Sequence, residues 1–535
     1  MKKILLKMTA LCLTVVLIFS GCANFDWGSF TQPWEPELVA FQDMEYTRPD
    51  PDALERKQQA VIDGIEAGDD AKTLMDKVFS FYEDYHTYYT GYALANIHYF
   101  RDLTDIYWEK EYDYCTENSA RVDAALDQML YALADCPIKE ELEAEEYFGE
   151  GFFDSFEGDS IWDETFTALA EQEAVLEGKY YELSAQAAEM DVYSEAFYNG
   201  CGKEMAQLYV DLIKVRQQMA AQAGYDDYLT FAYEVTYYRD YTPQQTMEYL
   251  DDIQKQLVPL YKKADLNKYW NANKTCTEEQ VFQYVRDRAQ AMGGTVADAF
   301  TLLETAGLYD ITYSDKKYDA SFEIYISNYY EPFVFVNPTG RATDQLTFTH
   351  EFGHFCNDYA SYGSQVGIDV AEFFSQGLEY LSLCYGEKNT DLSVMKMMDC
   401  LFLYVEQSAY TSFEHQAHKL EGEELTVERL CALYEQVGKD YGLDIWDWDG
   451  RSFVLVPHFF TSPMYIISYV VSNDAALQLY QLEVENPGEG LKKYQDNLAT
   501  MEGGFLAFVT SAELASPFTE GRVETVRKTL EEVLK

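Results

Sequence analysis

Apolar side chains recur every three to four positions over long stretches of this chain, which is the pattern of amphipathic helices. Only 13 prolines occur in 535 residues, so few of these stretches are interrupted. The aromatic-rich run Phe79–Phe100 is expected in a core. The pattern predicts a mainly α protein, with long helices at Asp52–Gly64, Ala71–Trp108, Ser119–Ala134, Trp162–Met190, Gln244–Ala264 and Asp391–Lys419.

The first residues have the pattern of an export signal. A basic start precedes the apolar stretch Met8–Phe19, which is too short to span a bilayer and ends in Ser20–Cys22. A cysteine directly after Ser-Gly resembles the bacterial lipobox. This resemblance implies acylation of Cys22, with residues 1–22 as a lipoprotein signal peptide and 23–40 as a tether. The protein is then expected in the bacterial cell envelope, outside the cytoplasm and lipid-anchored to the membrane. Simple secretion is the alternative.

Charge and cysteine content narrow the class of protein. The formal net charge of −54 argues against nucleic acid or an anionic membrane face as a partner. Eight cysteines remain besides Cys12 and Cys22, and no two of them form a CxxC pair, which argues against common structural zinc and redox motifs. Cys356, Cys384 and Cys400 lie on predicted apolar helix faces and are expected as small core residues.

The pentapeptide HEFGH at His350–His354 carries candidate metal chemistry. On a helix, His350 and His354 fall on one face and can bind one zinc ion, while Glu351 can act as general base for peptide hydrolysis. The chain has only 7 histidines, so this spacing is an improbable accident. The other pair, His415 and His418, lies in a polar stretch without a third ligand and is predicted at the surface.

A third ligand is needed, because catalytic zinc takes three protein ligands and leaves one position open. Asp369 and Glu372 predict the start of a largely apolar helix, in the pattern of a capping box. A carboxylate on the first turn of that helix is a candidate ligand. The alternative for Glu372 is a capping residue without metal.

Two segments of the chain, taken together, resemble a known protein family. His350–His354 and the later segment Val370–Glu379 resemble the zinc peptidases of the oligoendopeptidase F and thimet oligopeptidase group, whose motif is HExGH followed by a glutamate on a later helix. The resemblance implies a zinc-dependent metalloendopeptidase that hydrolyses internal bonds of oligopeptides by a zinc-activated water. It implies Glu351 as general base, one Zn²⁺ per chain, and the ligands His350, His354 and Glu372.

A histidine and tyrosine cluster is the next part of the resemblance. Pro457–Phe460, followed by Tyr465 and Tyr469, resembles the family's histidine and tyrosine cluster. The resemblance implies that His458, Tyr465 and Tyr469 are catalytic and donate hydrogen bonds to the developing oxyanion. Both tyrosines are predicted on one helix after Pro463, four residues apart, so both hydroxyls can face one side. Packing roles for these side chains are the alternative.

Phe333–Val336 is predicted as a β-strand because it is β-branched and aromatic and precedes the turn Asn337–Gly340. Its surroundings, Glu331–Asn337, resemble the family's strand that binds the substrate backbone. An exposed edge could pair with an extended peptide. An ordinary buried strand of a small sheet is the alternative.

The resemblance also implies the overall organisation. A composition change near Arg239–Pro243 separates an N-terminal helical half, residues 41–240, from a catalytic half, residues 241–535. In the family the halves wall a deep channel that admits oligopeptides. The expected fold is therefore a large helical two-lobed peptidase with a deep substrate channel and a small β-sheet beside the HEFGH helix.

Two other functions stay open. One is an exopeptidase of the dipeptidyl-carboxypeptidase type, which would need a cationic subsite, with Arg341, Lys316 and Lys317 as the nearest candidates. The other is a catalytically silent, lipid-anchored peptide-binding protein. Oligopeptides are the expected partners, and the oligomeric state is left open.

Overall fold

The computed structural model describes residues 38–144, 147–156, 160–188, 190–363, 366–446, 448–500 and 503–534. The predicted signal peptide, Cys22 and most of the predicted tether lie outside the described residues.

Helices dominate the described chain, which confirms the predicted mainly α class. No helix in the described ranges is long and apolar enough to cross a membrane. The helices are α1 Pro51–Ala67, α2 Ala71–Arg101, α3 Ile106–Ala134, α4 Lys139–Leu142, α5 Glu164–Ala188, α6 Glu195–Asn199, α7 Cys201–Gln222, α8 Tyr228–Phe231, α9 Pro243–Gln256, α10 Val258–Tyr261, α11 Leu266–Ala272, α12 Glu278–Met292, α13 Gly294–Ala306, α14 Asp344–Ser361, α15 Ile368–Ser382, α16 Thr390–Ala417, α17 Val427–Asp440, α18 His458–Thr461, α19 Ile467–Glu485, α20 Glu489–Asn497, α21 Phe505–Ser511 and α22 Arg522–Val533.

Two predicted helices are each interrupted once. The predicted helix Ala71–Trp108 ends at Arg101, and α3 begins at Ile106 because the Asp105 carboxylate accepts hydrogen bonds from the first backbone N–H groups of α3. The predicted helix Gln244–Ala264 is divided into α9 and α10 near Pro259, which has no N–H to continue the hydrogen-bond ladder.

The described residues divide into two compact units. The first contains the described chain up to Thr167, together with Thr275–Val366 and Leu491–Gly503. The second contains Ala168–Lys274, Gly367–Gly490 and the chain from Gly504. In the first unit α1, α2 and α3 pack together, and most apolar and aromatic side chains of Phe79–Phe100 are buried in or against that core, as predicted.

A three-stranded sheet lies in the first unit, with strands β1 Tyr309–Asp310, β2 Ser321–Ile326 and β3 Glu331–Val336 in the order β1-β3-β2. β3 is antiparallel to β2 along its whole length and parallel to β1. All six residues of β3 are buried. The expectation of an exposed edge is wrong at Val334 and Phe335, where β1 pairs with β3 and makes it the central strand. The alternative, an ordinary buried strand, is confirmed.

Helix α14, which carries the HEFGH motif, packs against β3 and β2 within the first unit. The predicted sheet beside this helix is thus confirmed. The Asp344 carboxylate fixes the turn before the helix by accepting three backbone N–H bonds of 2.8–3.0 Å, from Thr339, Gly340 and Arg341. The helix ends in the left-handed residues Tyr362 and Gly363, and the Gly363 N–H donates to the Asp358 carbonyl.

In the second unit, α15 and α19 pack along each other, and α16 packs against α19. Buried polar side chains join α15 to α19. The Gln376 amide donates to the Ser472 hydroxyl at 3.2 Å, and the Tyr380 hydroxyl donates to the Asn473 amide oxygen at 2.8 Å. These bonds fix the register of the two helices that carry Glu372 and Tyr469.

The eight described cysteines are free thiols. Cys356 and Cys400 are buried, as predicted for small core residues. The prediction is wrong for Cys384, which is exposed because α15 ends at Ser382 and the chain turns there toward the surface.

Lys317 is a buried cation that holds the sheet together. Its Nζ donates at 2.9 Å to the Asp310 carboxylate and to the carbonyls of Thr312 and Val336. We expect Lys317→Met to lower the free energy of unfolding by about 3 kcal/mol, because two carbonyls lose their donor and the partly buried Asp310 carboxylate keeps only Arg101 as a cationic partner. Urea denaturation of the purified protein measures this change.

Lys316→Met is the matched control. The neighbouring Lys316 side chain is 56% exposed and pairs with Asp102 at 3.1 Å, so its removal should cost less than about 1 kcal/mol. Equal effects of the two substitutions would contradict a stabilising role for the buried lysine.

Candidate metal centre

His350 and His354 lie one turn apart on α14 and are both buried, with ring centroids 5.1 Å apart. The His354 Nε2 has no hydrogen-bond partner within the described part of the chain. Burial, assisted by the neighbouring His350, lowers the pKa of His354 well below its usual value. The ring is therefore neutral at pH 7, and only a neutral ring nitrogen can bind a metal ion.

Glu351 follows the first of these histidines and is fully buried in the same unit. The half-buried Glu323 carboxyl on β2 interacts with Glu351 and with the half-buried Asp358 on α14. Burial raises the pKa of both half-buried carboxyls, that of Asp358 to about 7. The negative charge of Glu351 adds to the rise at Glu323.

Glu372 lies near the start of α15 in the second unit and is also fully buried. Its Oε1 accepts a hydrogen bond of 2.7 Å from the Tyr465 hydroxyl, and its Oε2 accepts one of 3.1 Å from Ser375 Oγ. The predicted capping box is wrong: the N-cap is Gly367, and no side chain caps this helix. The Asp369 carboxylate instead accepts a 2.7 Å bond from the Tyr241 hydroxyl.

His350, His354 and Glu372 together form a buried His-His-Glu group. Each offers one ligand atom, and these atoms lie within 4.8 Å of one another. Two imidazoles and one carboxylate are a ligand set of catalytic zinc, which leaves a fourth position for water or substrate. The buried His354 nitrogen without a hydrogen-bond partner fits such a role.

The predicted histidine and tyrosine cluster also comes together within the second unit. His458 Nε2 is 3.1 Å from the Tyr469 hydroxyl, and the ring centroids of Tyr465 and Tyr469 are 5.1 Å apart. All three side chains are buried. Only Tyr469 lies on a helix, because α19 begins at Ile467 and Tyr465 precedes it in a turn. The hydroxyl of Tyr465 reaches Glu372 from that turn.

Two buried side chains that the sequence did not single out hold the segment with His458. The Arg216 guanidinium, fully buried in α7, donates to the carbonyls of Phe459 at 2.7 Å and of Phe460. The Glu414 carboxylate accepts the Met464 N–H at 2.9 Å, and burial raises the pKa of Glu414 to about 8. For Arg216, a charged residue on an apolar helix face was an available signal, but it does not reveal the partner; Glu414 lies in a polar stretch and gave no such signal.

His415 and His418 are buried, so their predicted surface position is wrong. The last turns of α16 have a polar sequence but are packed inside the second unit. His415 Nε2 is 2.9 Å from the Tyr233 hydroxyl, and the His418 ring stacks on Tyr228 with centroids 5.1 Å apart. Burial lowers the pKa of each histidine to about 3.

Comparison with known proteins supports the resemblance to peptidases that the HEFGH motif suggested. Residues 41–160 match the family described as Peptidase M3 N-terminal domain. No curated protein matches the sequence.

Solved structures share the fold over nearly the whole chain. One described as an oligoendopeptidase F has a TM-score of 0.81 and 22% identity, covering 93% of this chain and 98% of that chain. PZ peptidase A with inhibitor 2 has a TM-score of 0.80 and 18% identity, covering 92% and 99%. A structure described as an oligoendopeptidase F from Bacillus anthracis str. Ames has a TM-score of 0.77 and 21% identity, covering 93% and 98%.

The fold shared with the oligoendopeptidase structures, the match of residues 41–160 to the Peptidase M3 N-terminal domain and the buried His-His-Glu group support a peptidase. The resemblance to the oligoendopeptidase F and thimet oligopeptidase group, inferred from the HEFGH motif, is thereby confirmed.

The low pKa of His418 makes stability depend on pH. The unfolded chain binds a proton here near pH 6.5 but the folded chain only near pH 3, so this histidine reduces stability as the pH falls below 6.5. We expect the unfolding free energy of His418→Phe to fall less than that of wild type between pH 7 and 5, by about 2 kcal/mol. Urea denaturation at the two pH values tests this. Equal losses would mean that His418 titrates normally.

Proposed function

We propose that this protein is a zinc-dependent metalloendopeptidase that cleaves internal peptide bonds of oligopeptides. His350, His354 and Glu372 would bind one zinc ion per chain. The observation that carries the proposal is the buried His-His-Glu group, in a chain with the oligoendopeptidase fold and with Glu351 directly after the first ligand.

Each residue has a distinct part in the proposed reaction. When bound, zinc would polarise the scissile carbonyl and lower the pKa of the attacking water. Glu351 accepts the proton of that water and passes it to the leaving amine. Its position directly after the first proposed ligand, within the buried part of α14, supports this role.

The oxyanion formed in this reaction needs hydrogen-bond donors besides the metal. We assign His458, Tyr465 and Tyr469 to this role. The 3.1 Å contact between His458 Nε2 and the Tyr469 hydroxyl holds two donor groups side by side. In this structure Tyr465 donates its single hydroxyl proton to Glu372 and so orients a proposed ligand; its hydroxyl would have to turn from Glu372 to donate to the oxyanion.

The exopeptidase alternative requires a free cation for the substrate carboxylate. Lys317 is buried and bound to Asp310 and to main-chain carbonyls, and Lys316 pairs with Asp102. Arg341, which is exposed, is then the remaining candidate among the three. The silent-receptor alternative is disfavoured because all four positions of the motif and third ligand are intact.

Glu351→Gln tests the proposed base. We expect this variant to bind zinc like wild type but to cleave a mixed library of unstructured peptides at least about 1,000-fold more slowly, because it has no carboxylate to accept the proton. Mass spectrometry of the products and zinc analysis of the purified protein measure the two properties.

Peptides with amidated C-termini serve as the control for the site of cleavage. Internal cuts in blocked and unblocked peptides alike support the endopeptidase. Trimming confined to free C-termini would favour the exopeptidase, and no cleavage by zinc-loaded wild type would favour the peptide receptor.

We further propose that the chain is anchored through acylated Cys22 in the bacterial cell envelope, outside the cytoplasm, with oligopeptides as its partners. Residues 1–22 would be the signal peptide and 23–40 the tether. Residues 41–240 would form the N-terminal half and 241–535 the catalytic half. The support for the anchor is the sequence pattern around Cys22.

Cys22→Ser should move the protein expressed in a bacterium from the detergent phase to the aqueous phase in Triton X-114 partitioning, because the acylated cysteine is lost. Cys12→Ser is the matched control, since it changes a cysteine within the apolar stretch and should leave the partitioning unchanged. Detergent-phase recovery of the Cys22 variant would contradict the anchor.

A further inference from the structure

Arg239 is a fully buried cation in the second unit. Its guanidinium carbon lies 4.5 Å from the ring centroid of Tyr233, 4.3 Å from that of Tyr237 and 5.8 Å from that of Tyr241. A buried charge is costly unless anionic or polar groups compensate it. The groups that compensate the charge of Arg239 therefore indicate the role of this arginine.

Those partners are at the starts of two helices. Arg239 Nε donates to the Asp369 carboxylate at 3.3 Å, and Asp369 is the second residue of α15. Arg239 Nη2 donates to the Ser468 hydroxyl at 2.9 Å, and Ser468 is the second residue of α19. One planar guanidinium thus joins the first turns of both helices.

These two turns carry residues of the candidate site. Asp369 lies one turn before Glu372, and Ser468 lies between Tyr465 and Tyr469 in the chain. The 2.7 Å bond from the Tyr465 hydroxyl to Glu372 requires the two helix starts to keep their spacing. On α15, the other polar contacts with α19 described here come from Gln376 and Tyr380, two or more turns beyond Asp369. Gln376 also donates to the Tyr469 carbonyl at 3.3 Å, in the first turn of α19.

We propose that Arg239 is a positioning residue that holds Glu372 against Tyr465 and thereby raises the affinity of the chain for zinc. This inference rests on the proposed function, in which Glu372 is a zinc ligand. Arg239 itself contacts neither the ligand carboxylate nor the tyrosine hydroxyl. It acts through Asp369 and Ser468.

Arg522 offers a matched control in the same unit. It too is a buried arginine paired with a buried aspartate of α19, and its Nε donates to the Asp474 carboxylate at 2.6 Å. Asp474 lies six residues beyond Ser468, so this pair stabilises α19 away from Glu372. Loss of either arginine leaves a buried carboxylate with tyrosine hydroxyls but no arginine as partners, and both variants should be less stable.

The test compares zinc affinity of the metal-free full chain for wild type, Arg239→Met, Arg239→Lys and Arg522→Met, by competition with a chromophoric chelator. Loss of a group that orients a ligand typically weakens metal binding 10- to 100-fold, and we expect a change of about that size for Arg239→Met. Arg239→Lys should be intermediate, because an ammonium cannot reproduce the two-pronged contact. Arg522→Met should stay within about twofold of wild type.

A double-mutant cycle with Tyr465→Phe separates positioning from general destabilisation. If Arg239 acts by holding Tyr465 against Glu372, Arg239→Met should weaken zinc binding less in the Tyr465→Phe background than in wild type. Thermal unfolding of each variant confirms that folded proteins are compared. If Arg239→Met does not fold, Arg239→Lys replaces it in the affinity measurements and in the cycle.

Two outcomes would overturn this inference while leaving the proposed function intact. One is that folded Arg239 variants bind zinc as tightly as a zinc-binding wild type. The other is that the effects of Arg239→Met and Tyr465→Phe on zinc affinity are fully additive. A wild type that binds no zinc would overturn the proposed function, and this inference with it.

Discussion

Burial of ionisable groups is the constraint on which the candidate site depends, because a buried charge or hydroxyl is costly unless it finds a partner inside the protein. Glu372 meets this requirement with hydroxyls from Tyr465 and Ser375. Asp369 meets it with the Tyr241 hydroxyl and Arg239. The bonds that compensate burial also orient these side chains, so stability and site geometry follow from the same contacts.

Burial also sets the chemical state of the site. His354 is neutral at pH 7 because desolvation and His350 disfavour its charged form, and a neutral ring nitrogen is the form that binds metal. On the same helix, burial raises the pKa of Asp358, which pairs with Glu323, to about 7, so this carboxyl is largely uncharged at mildly acidic pH.

The sequence predicted the parts of this protein whose spacing is local. The HEFGH residues, the following Glu372 and the segment with His458 were all found because their residues are close in the chain and their chemistry is recognisable. The wrong predictions depended on distant residues. β3 is central because β1 pairs with it. β1 has only two residues, too few to show the alternation of apolar and polar side chains by which a strand is predicted. His415 and His418 appeared polar and exposed, because nothing local shows that α16 is buried by the rest of its unit.

Arg239 illustrates the same limit at the site itself. It precedes Asp369 by 130 residues and Ser468 by 229 residues, so no spacing rule could connect the three. Its position among three tyrosines is also unremarkable in a chain with 45 tyrosines. Ligands can be inferred from a motif because one helix presents them, whereas the residues that orient those ligands come from any part of the chain that folding brings near. For that reason the geometry of Glu372 could be read only from the packed second unit, where one guanidinium joins two helix starts.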